Sequence, residues 1–312
     1  MRLKNPNLLH EHTVLINHAV DYIDEHIAGE LSLQDIASAA AVSPHYFHRM
    51  FKSIVQETVG EYIVRRRLET AVHYLLFWDW MTLTDIASQS GFSSLSSFSR
   101  SFKAHYGMSP TLYIKEHRSI KSNICQIDNS VCERYFSKCE YNDGHRTSYT
   151  YSMRMAIREI KPVQVIYYRH YGGGNEITRS ADNFAKLSKL ASSRGLWRSD
   201  TVLVGIPRSP WYGGHPGNVR YDACLTLRPD SPLPQDGSSM CSIAGGTYAV
   251  IRFEEPEKMV RELMSICLRH WLPGSGYAFD IRPTLMIHYN NPHTDPDQKM
   301  IVDFCLPVRT KP

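Results

Sequence analysis

Apolar residues recur at helical spacing in the first third of the chain, and they do so twice. Leu33, Ile36 and Ala37 fall at i, i+3 and i+4, the pattern breaks at Ala41-Val42-Ser43, and Phe47, Met50 and Phe51 resume it. Leu83, Ile86 and Ala87 repeat the first stripe, Ser90-Gly91-Phe92-Ser93 repeats the break, and Phe98 and Phe102 repeat the second stripe. Literal echoes accompany the pattern: Leu33-Gln34-Asp35-Ile36-Ala37 returns as Leu83-Thr84-Asp85-Ile86-Ala87, and Arg49-Met50-Phe51-Lys52 as Arg100-Ser101-Phe102-Lys103. Each copy predicts a short helix, a tight turn and a second helix with its apolar side inward, a duplicated supersecondary unit. Ser43 is placed to cap the second helix with Pro44 in its first turn, and Gly91 supplies the turn backbone in the other copy. Val59 to Phe77 reads as one long connecting helix, since it holds no Gly or Pro after Gly60.

The periodicity changes after Tyr151. Residues 120–151 are polar, carry the turn signal Asn142-Asp143-Gly144 and predict a linker. Beyond it, Val163 to His170 predicts a strand, Glu176 to Ser193 a helix, and Thr201 to Pro207 and Tyr221 to Leu227 two strands. The order then recurs with a strand at Thr247 to Phe253, a helix at Glu257 to Trp271, and strands at Thr284 to Tyr289 and Met300 to Leu306. Asp222-Ala223-Cys224-Leu225 is echoed by Asp303-Phe304-Cys305-Leu306. The expected fold class is multidomain: an all-α tandem helix-turn-helix domain (residues 1–118), a linker (119–152), and an α+β domain (153–312) of two β-α-β-β repeats sharing an antiparallel sheet.

Composition changes this picture little. No apolar run approaches the ~20 residues of a membrane span, and the N-terminus lacks the apolar core of a secretory signal, so no membrane partner and a cytoplasmic location are expected. The net charge of +4 is not concentrated in the helical part, where 11 Lys and Arg face 12 Asp and Glu over residues 1–120. Seven cysteines without paired spacing suit free thiols; Cys125, Cys132 and Cys139 recur every seven residues but lack the close pairs of a metal site. No metal and no cofactor is expected. There is no nucleophile elbow, P-loop or dinucleotide fingerprint, and Gly172-Gly173-Gly174 lacks the residues that would make it a phosphate loop, so an enzyme is not expected.

From Leu15 to His117 the residues resemble the AraC/XylS family of transcriptional regulators. The resemblance rests on Leu33-x-Asp-Ile-Ala, Ser43-Pro44 through Phe51-Lys52, Arg67-Leu68-x-x-Ala71, and Ser97-Phe98-x-Arg100-x-Phe102-Lys103 ending at Gly107-x-Ser109-Pro110. It implies seven helices, two recognition helices in successive major-groove segments of double-stranded promoter DNA, RNA polymerase as a partner, and activation rather than repression. On the first recognition helix the residues projecting away from Phe47, Met50 and Phe51 are His45, His48, Arg49 and Lys52; on the second they are Leu95, Ser96, Ser99, Arg100 and Lys103. Arg49 suits a fork onto guanine O6 and N7. Arg65, Arg66 and Arg67 form a basic run expected on a solvated face, and Asp35 and Asp85 are expected to meet the positive ends of their helices.

The second half resembles the GyrI-like effector-binding domain, at Tyr221-Asp222-Ala223-Cys224, Gly245-Gly246-x-Tyr248-Ala249 and Trp271-Leu272-Pro273-x-Ser275-Gly276-Tyr277, and the domain order resembles the Rob type of regulator. That resemblance implies a small organic or amphiphilic effector. Candidate effector contacts are Tyr167, Trp211, Tyr212, Trp271, Tyr277, Phe279, Met286 and His288. Where the family often has a glutamate for a cationic ligand this chain has Met286, which fits a neutral or anionic amphiphile at least as well as a cation. The alternatives are that this half acts as a small hydrolase or as a protein-binding module.

Overall fold

A computed structural model describes residues 6–118, 134–142, 147–172, 176–210, 212, 219–228, 238–290 and 295–311. It divides into two units, Met1–Arg118 with Val163–Ile243, and Ser119–Pro162 with Ala244–Pro312. The helical region and the first half of the expected α+β domain therefore belong to one unit.

The helical region has seven helices: α1 (Pro6–Glu25), α2 (Leu33–Ala39), α3 (Pro44–Val55), α4 (Val59–Phe77), α5 (Leu83–Gln89), α6 (Leu95–Tyr106) and α7 (Pro110–Arg118). The apolar stripes form two cores. Ile16, Val20 and Ile23 of α1 pack with Ile36, Phe47, Phe51 and Tyr62 in the first, and Leu68, Val72 and Leu75 of α4 pack with Ile86, Phe98, Phe102 and Tyr113 in the second. Helix α4 contributes to both. At 19 residues it is about 28 Å long, and a Thr58–Glu61 capping box fixes its start.

In the first unit the sheet order is β5 (Leu203–Pro207), β6 (Val219–Leu227), β4 (Val163–Gly172), β7 (Ser239–Ile243), all antiparallel, and α8 (Glu176–Ser193) covers one face through Leu187, Leu190 and Ala191 against Ile166, Ala223 and Leu225. In the second, β3 (Ala156–Ile160), β8 (Gly246–Pro256), β11 (Lys299–Thr310) and β10 (Leu285–His288) are neighbours in that order, with β9 (Tyr277–Phe279) also on β11. Helix α9 (Glu257–Ile266) continues through a π-helical turn at Cys267–Trp271 into a last helical turn at Leu272–Gly274, so the helical stretch starts where the sequence predicts and runs three residues past the expected end at Trp271.

The expected linker holds a hairpin of β1 (Phe136–Asn142) and β2 (Thr147–Met153), paired from Phe136↔Met153 to Asn142↔Thr147. Its signal was the alternation Tyr149, Tyr151, Met153 among Ser148, Thr150 and Ser152, weak because only one strand shows it. The three short strands β3, β7 and β9 are likewise additions to the predicted set.

Candidate nucleic-acid interface

The second helix of each helix-turn-helix unit is held by its buried side. On α3, Phe47, Met50, Phe51 and Val55 are buried while His45, Arg49 and Lys52 are exposed and His48 is partly so. On α6, Phe98 and Phe102 are buried while Leu95, Ser96, Arg100 and Lys103 are exposed and Ser99 is partly so. The nine residues singled out in the sequence thus lie on the outward faces of the two helices. Arg49 and Lys52 occupy the positions of Arg100 and Lys103 in the repeat, so each unit presents a guanidinium and an ammonium one turn apart. Tyr46, not anticipated, is also exposed on α3, and its hydroxyl lies 2.6 Å from His12 Nε2.

The turns preceding these helices are built differently. Ser43 stands at the cap position of α3 with Pro44 next to it, but its hydroxyl makes no capping bond, whereas Ser94 accepts from Ser97 N at 3.1 Å at the start of α6. Asp35 and Asp85 sit in the first turns of α2 and α5, each accepting a hydroxyl bond from the capping Ser32 or Thr82 at 2.6 Å, as their place in the repeat predicts. The turn residue is left-handed in both copies, Ala41 with φ 54° and Gly91 with φ 84°. Only the second needs glycine for space. A Cβ there would lie 2.5 Å from Ile27 O and 2.6 Å from Arg67 Nε.

That contact corrects the reading of the basic run on α4. Arg65, Arg66 and Arg67 do not form a solvated face: Arg65 and Arg66 have partners on several elements, and Arg67 is tied to backbone. Arg65 pairs with Glu57 at 2.5 Å and Glu69 at 2.6 Å; Arg66 pairs with Glu69 and, at 2.9 Å, with Asp24 of α1. Arg67 donates to Ile27 O at 3.1 Å and Gly29 O at 2.7 Å, tying α4 to the loop after α1. Glu69 is a local i+3 and i+4 partner, but Asp24, Ile27 and Gly29 lie 38–42 residues away, and the local pattern carries no sign of them.

Helix α1 has two working faces. Beside its apolar stripe, about 100° round the helix, Asn17, Asp21 and Asp24 fall at i, i+4 and i+7 and face the sheet of the first unit. Asn17 donates to Ser239 Oγ at 2.9 Å and accepts from the Tyr171 hydroxyl at 2.8 Å. Asp21 accepts from the Tyr167 hydroxyl at 2.5 Å and from Arg169 Nη2 at 2.8 Å. Asp24 accepts from Arg66 Nε with one oxygen and from Arg220 Nη1, at 2.8 Å, with the other. Two guanidinium groups on one buried carboxylate hold it ionised, well below the usual carboxylate range despite burial. Arg220 also donates to the Tyr62 hydroxyl, and burial drives that phenol well above its ordinary range.

The candidate effector residues divide between the units. Tyr167 is fully buried, with its hydroxyl on Asp21 and the Arg169 guanidinium 4.8 Å from its ring centre. Tyr212 lies against α4, its hydroxyl 2.7 Å from His73 Nδ1 and its ring edge-on to Phe77 at 4.9 Å. Trp211 lies outside the described residues. In the second unit Trp271 and Tyr277 are near-parallel, 6.4 Å between centres, Phe279 and Met286 are buried, and burial pushes His288 down to about 4, so it is neutral at pH 7. Two further groups there are satisfied internally: Glu255 accepts from Arg134 at 2.5 Å and from the Tyr135 hydroxyl at 3.2 Å, and Asp303 is forked by Arg252.

Among the described residues no three of His, Cys, Asp and Glu gather as a metal site requires, and no helix is long and apolar enough to cross a membrane. Cys125 and Cys132 lie outside the described residues, and Cys139 falls on β1.

Comparison with known proteins agrees with this geometry. Residues 36–116 match the helix-turn-helix domain family and residues 153–309 the GyrI-like small molecule binding domain family. The chain is 38% identical over 93 residues to the probable transcriptional regulator LumQ of Photobacterium leiognathi, a match that takes in 30% of this chain and 37% of LumQ. It is 34% identical over 102 residues to the regulatory protein SoxS of Salmonella typhimurium (33% of this chain, 94% of SoxS) and 36% identical over 99 residues to the transcriptional activator AarP of Providencia stuartii (32% and 73%). The chain thus spans little more than a third of the length of LumQ and nearly all of SoxS. With its duplicated helix-turn-helix region and its second-half family match, the chain belongs to the AraC/XylS family of regulators and carries a GyrI-like small molecule binding domain.

Proposed function

We propose that the protein is a cytoplasmic transcriptional activator that reads promoter DNA with α3 and α6, recruits RNA polymerase, and is modulated by a small effector held in its GyrI-like domain, without catalysing a reaction. The observation that carries this reading is the repetition of Arg49 and Lys52 by Arg100 and Lys103, exposed on equivalent helices of two units that share α4. A guanidinium placed to fork onto a base edge and an ammonium placed for phosphate are the pair a recognition helix needs. His45 and His48 extend the α3 face. On α6 the remaining groups are the apolar Leu95 and the short Ser96 and Ser99, so α6 contributes less direct reading than α3. Activation follows AarP, which is an activator by name.

For the effector, the site is proposed at Trp271, Tyr277, Phe279, Met286 and His288 of the second unit. No carboxylate is among them and His288 is neutral at pH 7, so a neutral or anionic amphiphile suits them better than a cation. Tyr167 and Tyr212 already spend their hydroxyls on Asp21 and His73.

Selection of bound duplexes from a random pool by the full chain, at near-physiological salt and with and without a panel of amphiphiles, tests the reading. The expected result is an asymmetric motif of about 20 bp with two blocks roughly one helical turn apart, its enrichment changed by an amphiphile. Failure to enrich any motif would overturn the DNA assignment, and enrichment indifferent to every amphiphile would overturn the effector assignment.

A further inference from the structure

Helix α4 is the only covalent path between the two helix-turn-helix cores, so its shape sets the distance and the twist between α3 and α6. Within the first unit it is gripped near both ends by the half-domain that carries β4 to β7. Near its start, Tyr62 receives Arg220 of β6, and Arg66 shares the carboxylate of Asp24 with that same arginine. At its end, His73 and Phe77 receive Tyr212 from the connection between β5 and β6. Tyr62 and Phe77 are 15 residues apart along the helix, about 22 Å.

The grip near the start is built from buried charge. Arg65, Arg66 and Arg220 are matched by Glu57, Glu69 and Asp24, and beside them Arg169 and Arg208 are matched by Asp21 and Asp222. Each group is neutral as a whole, so it has no need of an added ion; the first joins the helical region to β6 through Arg220, and the second joins it to β4 and β6 through Arg169 and Asp222. Charge-assisted hydrogen bonds of this kind are directional, so they constrain orientation as well as distance.

We infer that this half-domain is a brace: Tyr212 and the α1–sheet contacts of Asn17 and Asp21 are positioning residues for DNA recognition, holding α4 so that α3 and α6 meet the duplex at one fixed spacing. The inference rests on the DNA-binding reading above. None of the three residues lies on the outward face of α3 or α6. Their effect is on the geometry between the two contacts, not on either contact.

The test uses the full chain and duplexes carrying its selected two-block site with the blocks moved apart or together by one and two base pairs. Each added base pair shifts the second block by about 3.4 Å and turns it by about 34°, given 10–10.5 bp per turn. The wild type is expected to discriminate against a one-base-pair shift about as strongly as against a mismatched base, on the order of tenfold. Tyr212→Ala and the double variant Asn17→Ala with Asp21→Asn are expected to cut that discrimination to about threefold or less while still binding each isolated block as the wild type does. Tyr212→Phe keeps the ring against Phe77 and should retain most of the discrimination, and Arg252→Gln, on the other unit, should retain all of it.

A spacing profile unchanged in both variants overturns the brace, as does an equal loss at every spacing and at each isolated block, which a simple loss of folded protein would give. Thermal melting of each variant separates these last cases. If the wild type selects no two-block site at all, it is the DNA-binding reading that fails.

Discussion

The two halves of the GyrI-like domain carry the same device in opposite surroundings. In the first, Arg169 of β4 forks onto Asp222 of β6 at 2.6 and 2.7 Å; in the second, Arg252 of β8 forks onto Asp303 of β11 at 2.8 and 3.1 Å, and both are direct cross-strand partners. The first fork is fully buried beneath α1, whose Asp21 accepts a second bond from Arg169 Nη2. In the second, Arg252 is 48% exposed and lies 4.0 Å over the ring of Tyr289, whose hydroxyl bonds Asp303. One fork lies under the DNA-binding region and the other is half-exposed, so what each pair does depends on what packs on it.

The largest difference between the copies should appear on neutralising the arginine. Arg169→Met leaves Asp222 and Asp21 short of a buried partner and is expected to destabilise by about 3–5 kcal/mol. Arg252→Met removes a half-exposed pair and is expected to cost about 1 kcal/mol or less. Denaturant unfolding of both variants checks this, and equal losses would erase the distinction between the forks.

A smaller difference separates the two helix-turn-helix turns. Gly91→Ala forces a Cβ against Ile27 O and Arg67 Nε at a positive φ, with an expected loss of about 1–3 kcal/mol. Ala41→Gly, at the equivalent left-handed position, should be neutral or stabilising by about 1 kcal/mol at most. Thermal unfolding decides it; a costless Gly91→Ala would mean that Arg67 does not clamp the loop after α1.

Local features were the legible ones. The duplicated apolar stripes fixed α2, α3, α5 and α6, the run without Gly or Pro fixed α4, and Glu176 to Ser193 was read to the residue as α8. The outward faces of α3 and α6 followed from the same periodicity. Illegible were the roles that depend on partners far along the chain. Asn17, Asp21 and Asp24 form an ordinary polar helix stripe, and Arg65 to Arg67 an ordinary basic run, until strands more than 140 residues away are laid on the former. Tyr167 and Tyr212 were singled out as aromatics for an effector, and nothing local could show that their hydroxyls reach α1 and α4. Buried ion pairs leave no period in a sequence.

The smallest energies carry the central claim, that α3 reads sequence and does not merely bind charge. Binding of the selected duplex and of a scrambled one should be measured for the wild type, Arg49→Ala and Lys52→Ala across a salt series. Loss of Arg49 is predicted to remove about 1–3 kcal/mol of preference for the selected site. Loss of Lys52 is predicted to weaken both duplexes alike and to flatten the salt slope by about one. Equal losses for the two variants on both duplexes, with the preference intact, would contradict the assignment of Arg49 and with it the account of α3 as the reading helix.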